Sequence, residues 1–336
     1  MPTRVAINGF GRIGRLAVRI AMQRPDLEVV AINSSANAAT TAHLFKYDSL
    51  YGPYPGEVTT EENNYIIVDG KKIAKYAERE PSAIPWEATN VDIVLECTGK
   101  FRERDMIAGH FREGVKKVIV SAPAKNEDAT IVMGVNETVY NPEKHTIISN
   151  ASCTTNCLAP VTKVLHERFG ITEGLMTTVH AYTNDQQILD KTHKDLRRAR
   201  AAALSTVPTT SGAAKTIGTI IPALKGKLSG FALRVPTPVV SVVDLVVLLE
   251  KKATAEAINA AFREEAENAL RGILAVTDLP LVSDDFRGSD VSAVVEAPYT
   301  MVSGGNMAKV VAWYDNEWGY TCRLIDLTEY VAAAGL

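Results

Sequence analysis

Three glycines near the start of the chain constrain its fold more than any other feature. Gly9, Gly11 and Gly14 stand in G-x-G-x-x-G spacing, between the strand-like stretch "RVAIN" and a helical stretch that begins at Arg12. Glycine at these positions permits a tight turn, a close approach of the backbone to a pyrophosphate, and close packing of helix on strand. The start of the helix then offers unpaired N–H groups to the phosphates. The spacing therefore predicts a dinucleotide-binding unit rather than an ordinary tight turn.

Alternating strand-like and helical stretches continue through the first half of the chain. Runs such as "EVVAIN", "VDIVLECTG" and "KKVIVSAP" are short, rich in valine and isoleucine, and separated by helical sequence. This alternation predicts an α/β fold with a Rossmann-type doubly wound parallel sheet over residues 1–150. The amphipathic segment 316–336 is predicted to be a helix that completes the same domain.

The pattern of alternating strands and helices ends near Ser149, and a second domain is predicted over residues 151–315. A helix over residues 153–169 and a strand ending at His180 come first, followed by a polar, basic loop over residues 184–203. Long strands then follow one another with one helix among them. That order predicts an α+β catalytic domain with a mixed or antiparallel sheet.

Charge and composition exclude several classes of protein. The chain has 36 basic and 39 acidic residues, so no overall field draws it to nucleic acid or an anionic membrane. Its longest apolar run, from Val239, is interrupted by Asp244 and falls short of the roughly 20 residues that a membrane helix needs. Four cysteines without zinc-site spacing, in a chain that opens on a strand, predict reduced thiols, a cytoplasmic location and no metal.

The segment "SNASCTTNCLAP" contains the strongest candidate nucleophile, Cys153. A cysteine in the first turn of a helix lies at the positive end of the helix dipole, which stabilises its thiolate. Ser152, Thr154 and Thr155 surround it with hydroxyl and backbone donors suited to an oxyanion or a phosphate. Cys157, one turn further on, is predicted to be buried. Helix capping alone explains one of the hydroxyl residues, but it does not explain a cysteine among them.

Candidate partners for this nucleophile occur further along the chain. "LMTTVHAYTNDQ" places His180 at the end of an apolar strand, where an imidazole either assists a thiolate or is merely solvated. Arg234 stands within the apolar strand "FALRVPTP", and a buried guanidinium needs an anionic partner. Ser211 and Gly212 in "PTTSGAAK" are typical of a backbone anion nest. The basic run over residues 194–200 is either a solvated face or an RNA contact.

The second predicted strand, "EVVAIN", lacks the terminal acidic residue that an NAD-selective site places on the adenosine ribose. The strand runs instead into Asn33, Ser34 and Ser35. A carboxylate would repel a 2′-phosphate whereas hydroxyls can donate to it, so this departure favours NADP or dual use. The alternative is that Ser34 and Ser35 cap a turn.

Together these segments resemble the phosphorylating glyceraldehyde-3-phosphate dehydrogenases over essentially the whole chain. The resemblance rests on "INGFGRIGR", "FKYDSLYG", "ECTGKF", "SNASCTTNCLAP", "TTVHAYTNDQ", "HKDLRRARAA", "PTTSGAAK", "LRVPTPVVSVVDL" and "WYDNEWGY". It implies that Cys153 attacks glyceraldehyde 3-phosphate to give a thiohemiacetal, with His180 as base. Oxidation, with NADP or NAD as hydride acceptor, would then leave a thioester that inorganic phosphate cleaves to 1,3-bisphosphoglycerate. The resemblance also implies a homotetramer.

The same resemblance implies which residues bind the two phosphates. These are Thr183 and Arg234 for the substrate's own phosphate, Ser152, Thr154, Ser211 and Gly212 for the attacking phosphate, and Arg198 between the two.

For the cofactor, the resemblance implies contacts from Arg12 and Ile13 to the pyrophosphate and adenosine side. Asn316 would orient the nicotinamide amide, with Tyr320 nearby. Strictly NAD-using relatives pair an aspartate at the position of Ser34 with Leu-Pro in a loop where this chain has Lys191 and Thr192. The loss of a repulsive charge and the gain of a cation point to the NADP-accepting, biosynthetic or gluconeogenic branch.

Two rival interpretations stay open. Erythrose-4-phosphate dehydrogenases share the fold and the Cys–His pair but depart from "HAYTNDQ" and "PTTSGAAK", which this chain keeps. A nucleotide- or RNA-binding protein could use the glycine-rich turn and the cluster over residues 197–200 without catalysis. Such a protein would have no need of Cys153 or His180.

Overall fold

The computed structural model describes residues 1–336, which divide into two compact units. The first unit comprises Met1–Ile131, Glu137–Ala151 and Thr321–Leu336. The second unit comprises Val132–Asn136 and Ser152–Tyr320.

The first unit is built on a nine-stranded sheet in the order β3-β4-β5-β2-β1-β6-β7-β9-β8. All neighbours from β5 to β8 pair in parallel, and β3, β4 and β5 form an antiparallel arm at one edge. The predicted doubly wound parallel sheet is thus confirmed. The strands are β1 Thr3–Asn8, β2 Leu27–Asn33, β3 Val58–Glu61, β4 Tyr65–Val68, β5 Lys71–Tyr76, β6 Ile93–Glu96, β7 Lys117–Val120, β8 Ala129–Thr130 and β9 Ile147–Ser149.

The central strands are apolar because both faces of this sheet are covered. Val5, Ala6 and Ile7 of β1 have no exposed surface, which is typical of parallel strands buried on both sides. Trp86 is fully buried in the same core. The helices of this unit are α1 Arg12–Ala21, α2 Ala38–Lys46 and α3 Arg104–Ile107, together with the greater part of α7, Trp318–Ala334.

The second unit contains an eight-stranded mixed sheet in the order β11-β12-β10-β13-β17-β15-β14, with β16 paired to β17. The β10–β12 and β14–β15 pairs are parallel and the others antiparallel, so the predicted mixed sheet is confirmed. Its elements are α4 Cys153–Phe169, β10 Ile171–Ala181, β11 Val207–Thr210, α5 Ala213–Ile220, β12 Leu228–Val235, β13 Ser241–Leu249, α6 Ala255–Glu267, β14 Leu274–Thr277, β15 Ala293–Glu296, β16 Met301–Ser303 and β17 Met307–Tyr314.

One face of this second sheet is covered by helix and the other is open. Helix α4 packs on β10, β13, β15 and β17, and burial alternates along β13 as expected for a strand with one covered face. Helix α4 has the predicted bounds. The Ser152 hydroxyl caps its start and Gly170, with φ of +71°, follows its end.

Two predicted boundaries shift by one or two residues. β10 continues one residue past His180 to Ala181, and α7 begins at Trp318 rather than at residue 316. The later start of α7 has a local cause, because the Asp315 carboxylate accepts the backbone N–H groups of Glu317 and Trp318. Residues 184–203 form no helix or strand beyond a single bridge from Gln187 to Ala201. No helix is both long and apolar enough to span a bilayer.

Candidate active site

The glycine-rich turn between β1 and α1 leaves open space at the start of the helix. Gly9 has φ of +96°, and a Cβ there would lie 2.6 Å from the Thr98 backbone nitrogen. A Cβ at Gly14 would lie 2.1 Å from the Gly9 carbonyl oxygen, so helix and turn touch backbone to backbone. Gly11 differs, because a Cβ there meets nothing within 4 Å and no side chain caps α1. The space at the start of α1 is therefore open to a phosphate, and the turn fits a dinucleotide.

A buried polar network lies directly behind this turn. Asn8 Nδ2 donates to Glu96 Oε2 at 2.5 Å, and Asn33 Nδ2 donates to Asn8 Oδ1 at 2.8 Å. Trp86 Nε1 donates to His110 Nδ1 at 3.1 Å, which leaves the proton on His110 Nε2, 3.0 Å from Glu96 Oε2. No motif in the sequence predicts this network. Its only local signal is a polar residue ending each of two apolar strands, "VAIN" and "IVLE".

The residues predicted on the adenosine side lie at the end of β2 and in the first turn of α1. The Ser34 backbone N–H donates to the Tyr76 carbonyl at 2.9 Å, and Ser35 is exposed. The Arg12 guanidinium pairs with Asp48, and its carbon lies 5.7 Å from the centre of the Tyr51 ring.

The remaining predicted cofactor residues differ in exposure. Ile13, in the first turn of α1, is half-buried. Lys191 and Thr192 are exposed on the long loop of the second unit. Asn316 and Tyr320 are both buried.

Cys153 lies in the first turn of α4, opposite the end of β10. Its Sγ is 3.4 Å from His180 Nε2. Ala151, two residues earlier, has φ of +55°, a conformation that non-glycine residues seldom adopt and that makes the chain turn sharply before the helix. The two candidate residues from separate segments are thereby brought into direct contact, as the nucleophile–base pairing requires.

The proton position on His180 follows from its second contact. Nδ1 lies 2.7 Å from the Ala181 carbonyl oxygen, which only accepts, and 3.1 Å from Arg234 Nη1, which only donates; the shorter carbonyl contact favours the tautomer with the proton on Nδ1. The Nε2 lone pair therefore faces Cys153 Sγ. Arg234 Nη1 donates to the same carbonyl at 3.1 Å and to Thr183 Oγ1 at 3.4 Å.

Burial governs the charge state of this pair. Burial raises the pKa of the Cys153 thiol, although Arg234 and the Thr154 N–H act in the opposite direction. Burial, and then the charge of Arg234, lowers the pKa of His180 to about 3. Desolvation thus opposes the helix-start donors that are expected to stabilise the thiolate.

Hydroxyl groups hold the start of α4 and the strand beside it. Ser152 Oγ accepts the Thr155 N–H at 3.1 Å. The buried Tyr314 hydroxyl bonds Thr154 Oγ1 at 2.9 Å and Thr178 Oγ1 at 2.8 Å. The Tyr314 ring also meets His180 edge-on, with centroids 6.0 Å apart. Tyr314 was not foreseen from the sequence, because its partners are 160 and 136 residues away.

Arg198 and Arg234 give the site a positive field. The charge of Arg234 and, to a smaller extent, that of Arg198 lower the pKa of His180. Both cations therefore lie near the imidazole. Arg198 Nε donates to Thr209 Oγ1 at 3.0 Å, and its guanidinium also pairs with Asp185. Two guanidinium groups beside the Cys153–His180 pair can hold anionic substrates.

The predicted anion nest lies at the start of α5. Ser211 Oγ accepts the Ala213 N–H at 3.3 Å. Gly212 precedes the helix without a side-chain cap, and a Cβ there would meet nothing within 4 Å. The space in front of α5 is thus open, and the anion nest expected there stays a prediction.

A second strained residue precedes β13. Val240 is buried and has φ of +67°, an outlier for a β-branched residue that costs about 1–3 kcal/mol. The next residue, Ser241, hydrogen-bonds both the Ala181 N–H and Asn316. No cluster of three or more His, Cys, Asp or Glu side chains is arranged to hold a metal ion.

Comparison with known proteins matches both halves of the chain to one family. Residues 3–104 match the model of the glyceraldehyde 3-phosphate dehydrogenase NAD binding domain, and residues 152–316 match the C-terminal domain of the same family. A glyceraldehyde-3-phosphate dehydrogenase of Geobacillus stearothermophilus is 59% identical over 336 residues, covering 100% of both chains. Glyceraldehyde-3-phosphate dehydrogenase 2 of Bacillus subtilis is 56% identical over 333 residues, covering 99% of this chain and 98% of its own. The chloroplastic glyceraldehyde-3-phosphate dehydrogenase A of Chlamydomonas reinhardtii is 55% identical over 332 residues, covering 98% of this chain and 88% of its own.

Proposed function

This chain belongs to the glyceraldehyde 3-phosphate dehydrogenase family, and we propose that Cys153 and His180 carry out the chemistry of that family here. The enzyme oxidises glyceraldehyde 3-phosphate and joins the product to inorganic phosphate, with a nicotinamide dinucleotide as the oxidant. The observation that carries the residue assignment is the 3.4 Å contact between Cys153 Sγ and His180 Nε2.

The first step is addition of the Cys153 sulfur to the aldehyde carbon. His180 Nε2 takes the thiol proton as the S–C bond forms and returns it to the aldehyde oxygen, which gives a neutral thiohemiacetal. The unprotonated Nε2 supports this role, since the Ala181 carbonyl holds the ring proton on Nδ1. The low pKa of His180 leaves the imidazole unprotonated at neutral pH.

Oxidation and phosphorolysis complete the reaction. His180 Nε2 removes the hydroxyl proton of the thiohemiacetal while the C–H bond breaks and a thioester forms. The nicotinamide, when bound, accepts the hydride that leaves with that bond. Phosphate oxygen then attacks the thioester carbonyl, and the sulfur leaves as thiolate, which recovers its proton from His180. The product is 1,3-bisphosphoglycerate.

Positively charged and hydroxyl groups around this pair are proposed to bind the two phosphates. Arg234 and Thr183 would hold the substrate's own phosphate, a role supported by their mutual contact beside His180. Arg198 would serve both phosphates. The attacking phosphate would meet Ser152, Thr154, Ser211 and Gly212, and the open start of α5 supports that part of the assignment.

NADP is proposed as the preferred cofactor, with NAD also accepted. Support comes from the hydroxyls of Ser34 and Ser35 in place of a carboxylate, and from the exposed cation and hydroxyl of Lys191 and Thr192. Arg12, Ile13, Asn316 and Tyr320 would contact the rest of the cofactor. Steady-state kcat/KM with NADP and with NAD on one preparation tests this proposal. A wide margin for NAD would contradict it.

We propose that the nucleotide binds to residues 1–150 and 316–336 and that residues 151–315 carry the catalytic groups.

A homotetramer is also proposed. The uncovered face of the second sheet supports self-association, because it presents Leu175, Phe231, Leu248 and Met307 with 38–68% of their surfaces exposed. Light scattering coupled to gel filtration tests the oligomer, and a monomer at micromolar concentration would contradict it. A cytoplasmic location is proposed because all four cysteines are free thiols.

Replacement of Cys153 by alanine tests the identity of the nucleophile. We expect loss of dehydrogenase activity with retention of nucleotide binding, since the glycine-rich turn of α1 is untouched. Cys157→Ala is the matched control, because Cys157 lies one helical turn further on in α4 and its side chain is fully buried. A Cys153→Ala variant that keeps its activity would overturn the assignment.

A further inference from the structure

The hydroxyl of Ser241 connects two residues of the proposed site. Ser241 begins β13 and is 1% exposed. Its Oγ lies 3.0 Å from the backbone nitrogen of Ala181, next to His180, and 2.9 Å from Asn316 Oδ1. Asn316 is itself only 5% exposed. The hydroxyl thus bridges the end of β10 and the buried amide that precedes α7.

The roles of donor and acceptor in this bridge are fixed by chemistry. A backbone N–H can only donate, so Ser241 Oγ accepts from Ala181. The atom of Asn316 that faces Ser241 Oγ is Oδ1, which only accepts, so the hydroxyl proton of Ser241 is donated to it. Asn316 therefore turns Oδ1 toward Ser241 and presents its Nδ2 donors on the other side. The two orientations of the Asn316 amide have nearly the same shape, so without the serine hydroxyl little would distinguish them.

The position of Ser241 is itself tightly held. It pairs with Tyr314 in the β13–β17 register, and the residue before it, Val240, is buried in a left-handed conformation. Such a conformation persists only where the surrounding structure enforces it. The hydroxyl consequently has little freedom to follow Asn316, and Asn316 must orient to Ser241.

We propose that Ser241 is a positioning residue for the cofactor: it holds Asn316 so that a hydrogen-bond donor, and not an acceptor, meets the carboxamide of the nicotinamide. A donor at this point selects the carbonyl oxygen of the carboxamide and thereby fixes which way round the ring is bound. This inference rests on the proposed role of Asn316, and it adds the residue that sets the polarity of that contact.

The test is a double-mutant cycle with Ser241→Ala and Asn316→Ala, read by isothermal titration calorimetry. Each variant of the full chain is titrated with NAD and, separately, with ADP-ribose, which lacks the nicotinamide ring. We expect Ser241→Ala to weaken NAD binding about five- to tenfold, as for the loss of one buried hydrogen bond. ADP-ribose should bind with unchanged affinity, which also shows that the variant is folded. In the Asn316→Ala background, the serine substitution should have no further effect on NAD.

A matched control comes from Ser292, another buried serine of the second unit, whose hydroxyl has no hydrogen-bond partner. Ser292→Ala removes the same atom from a buried site and should leave both affinities unchanged. Wild-type NAD affinity in Ser241→Ala would overturn this inference alone. Equal weakening of NAD and ADP-ribose, or additive losses in the double variant, would also overturn it, since Ser241 would then act on stability. If Asn316→Ala binds NAD as the wild type does, both the inference and the assignment of Asn316 fail.

Discussion

Alanine substitutions at Gly11 and Gly14 separate cofactor binding from folding within one turn of helix. At Gly11 an added Cβ meets no protein atom within 4 Å, and φ is not positive. The substitution should leave thermal stability unchanged. The methyl group would nevertheless occupy the space into which the start of α1 directs its N–H groups. Loss of one charge-assisted hydrogen bond to phosphate, about 1.5–3 kcal/mol, weakens NAD or NADP binding at least about tenfold.

Gly14→Ala is the matched comparison, with the opposite expectation for stability. Its Cβ would lie 2.1 Å from the Gly9 carbonyl oxygen and 3.1 Å from Ile7 Cγ2. Contacts of this kind are ordinary only from 3.4 Å, so α1 must move away from the turn by more than 1 Å at its tightest point. Overpacking against backbone costs about 1–3 kcal/mol, and the melting temperature should fall.

Two measurements on the cofactor-free protein decide the outcome. Differential scanning calorimetry gives the melting temperature, and isothermal titration calorimetry gives the dissociation constant for the dinucleotide. We expect Gly11→Ala to melt as the wild type and bind weakly, and Gly14→Ala to melt at a lower temperature. A Gly11→Ala variant with wild-type affinity would refute the reasoning that this turn holds the pyrophosphate.

Three further predictions concern the catalytic pair, the cofactor and the hydroxyl contacts of Tyr314. In His180→Asn, alkylation of Cys153 by iodoacetamide should be slower at pH 7 than in the wild type and rise only above the ordinary thiol pKa of about 8.5, because no base takes the thiol proton and burial raises the thiol pKa; wild-type rates at pH 7 would contradict this. Ser34→Asp should lower kcat/KM for NADP at least about tenfold relative to NAD through charge repulsion, and an unchanged ratio would count against a 2′-phosphate site there. Tyr314→Phe should lower the free energy of unfolding by about 1–3 kcal/mol, because two buried threonine hydroxyls lose their partner, whereas Tyr299→Phe, at an exposed tyrosine, should not.

Local sequence patterns predict most of the fold. Glycine spacing and the alternation of apolar runs predicted the parallel sheet and the first helix, because these features arise from residues close together in the chain. Helix α4 was predicted over its full length, since the Ser152 cap and Gly170 mark its two ends. The start of α7 was placed two residues early, because the capping role of the Asp315 carboxylate is a matter of geometry.

The parts of the site that escaped prediction depend on burial and on distant contacts. The direction of the Cys153 pKa is the plainest case, since a sequence shows the helix start but not the loss of solvent around the thiol. Ser241 and Tyr314 were missed as well. Ser241 meets Asn316 from 75 residues away, and Tyr314 meets Thr154 from 160 residues away. No local pattern distinguishes such a serine or tyrosine from an ordinary strand residue.

The most direct test of the proposed mechanism is a single-turnover experiment with and without inorganic phosphate. Enzyme and cofactor are mixed rapidly with glyceraldehyde 3-phosphate, and reduced cofactor is followed by its absorbance at short times. Without phosphate, we expect a burst stoichiometric with Cys153 and then arrest, because the thioester has no acceptor; adding phosphate should restart turnover. Steady turnover without phosphate would indicate hydrolysis, as the erythrose-4-phosphate dehydrogenase alternative requires. A burst that persists in Cys153→Ala would contradict the thioester mechanism altogether.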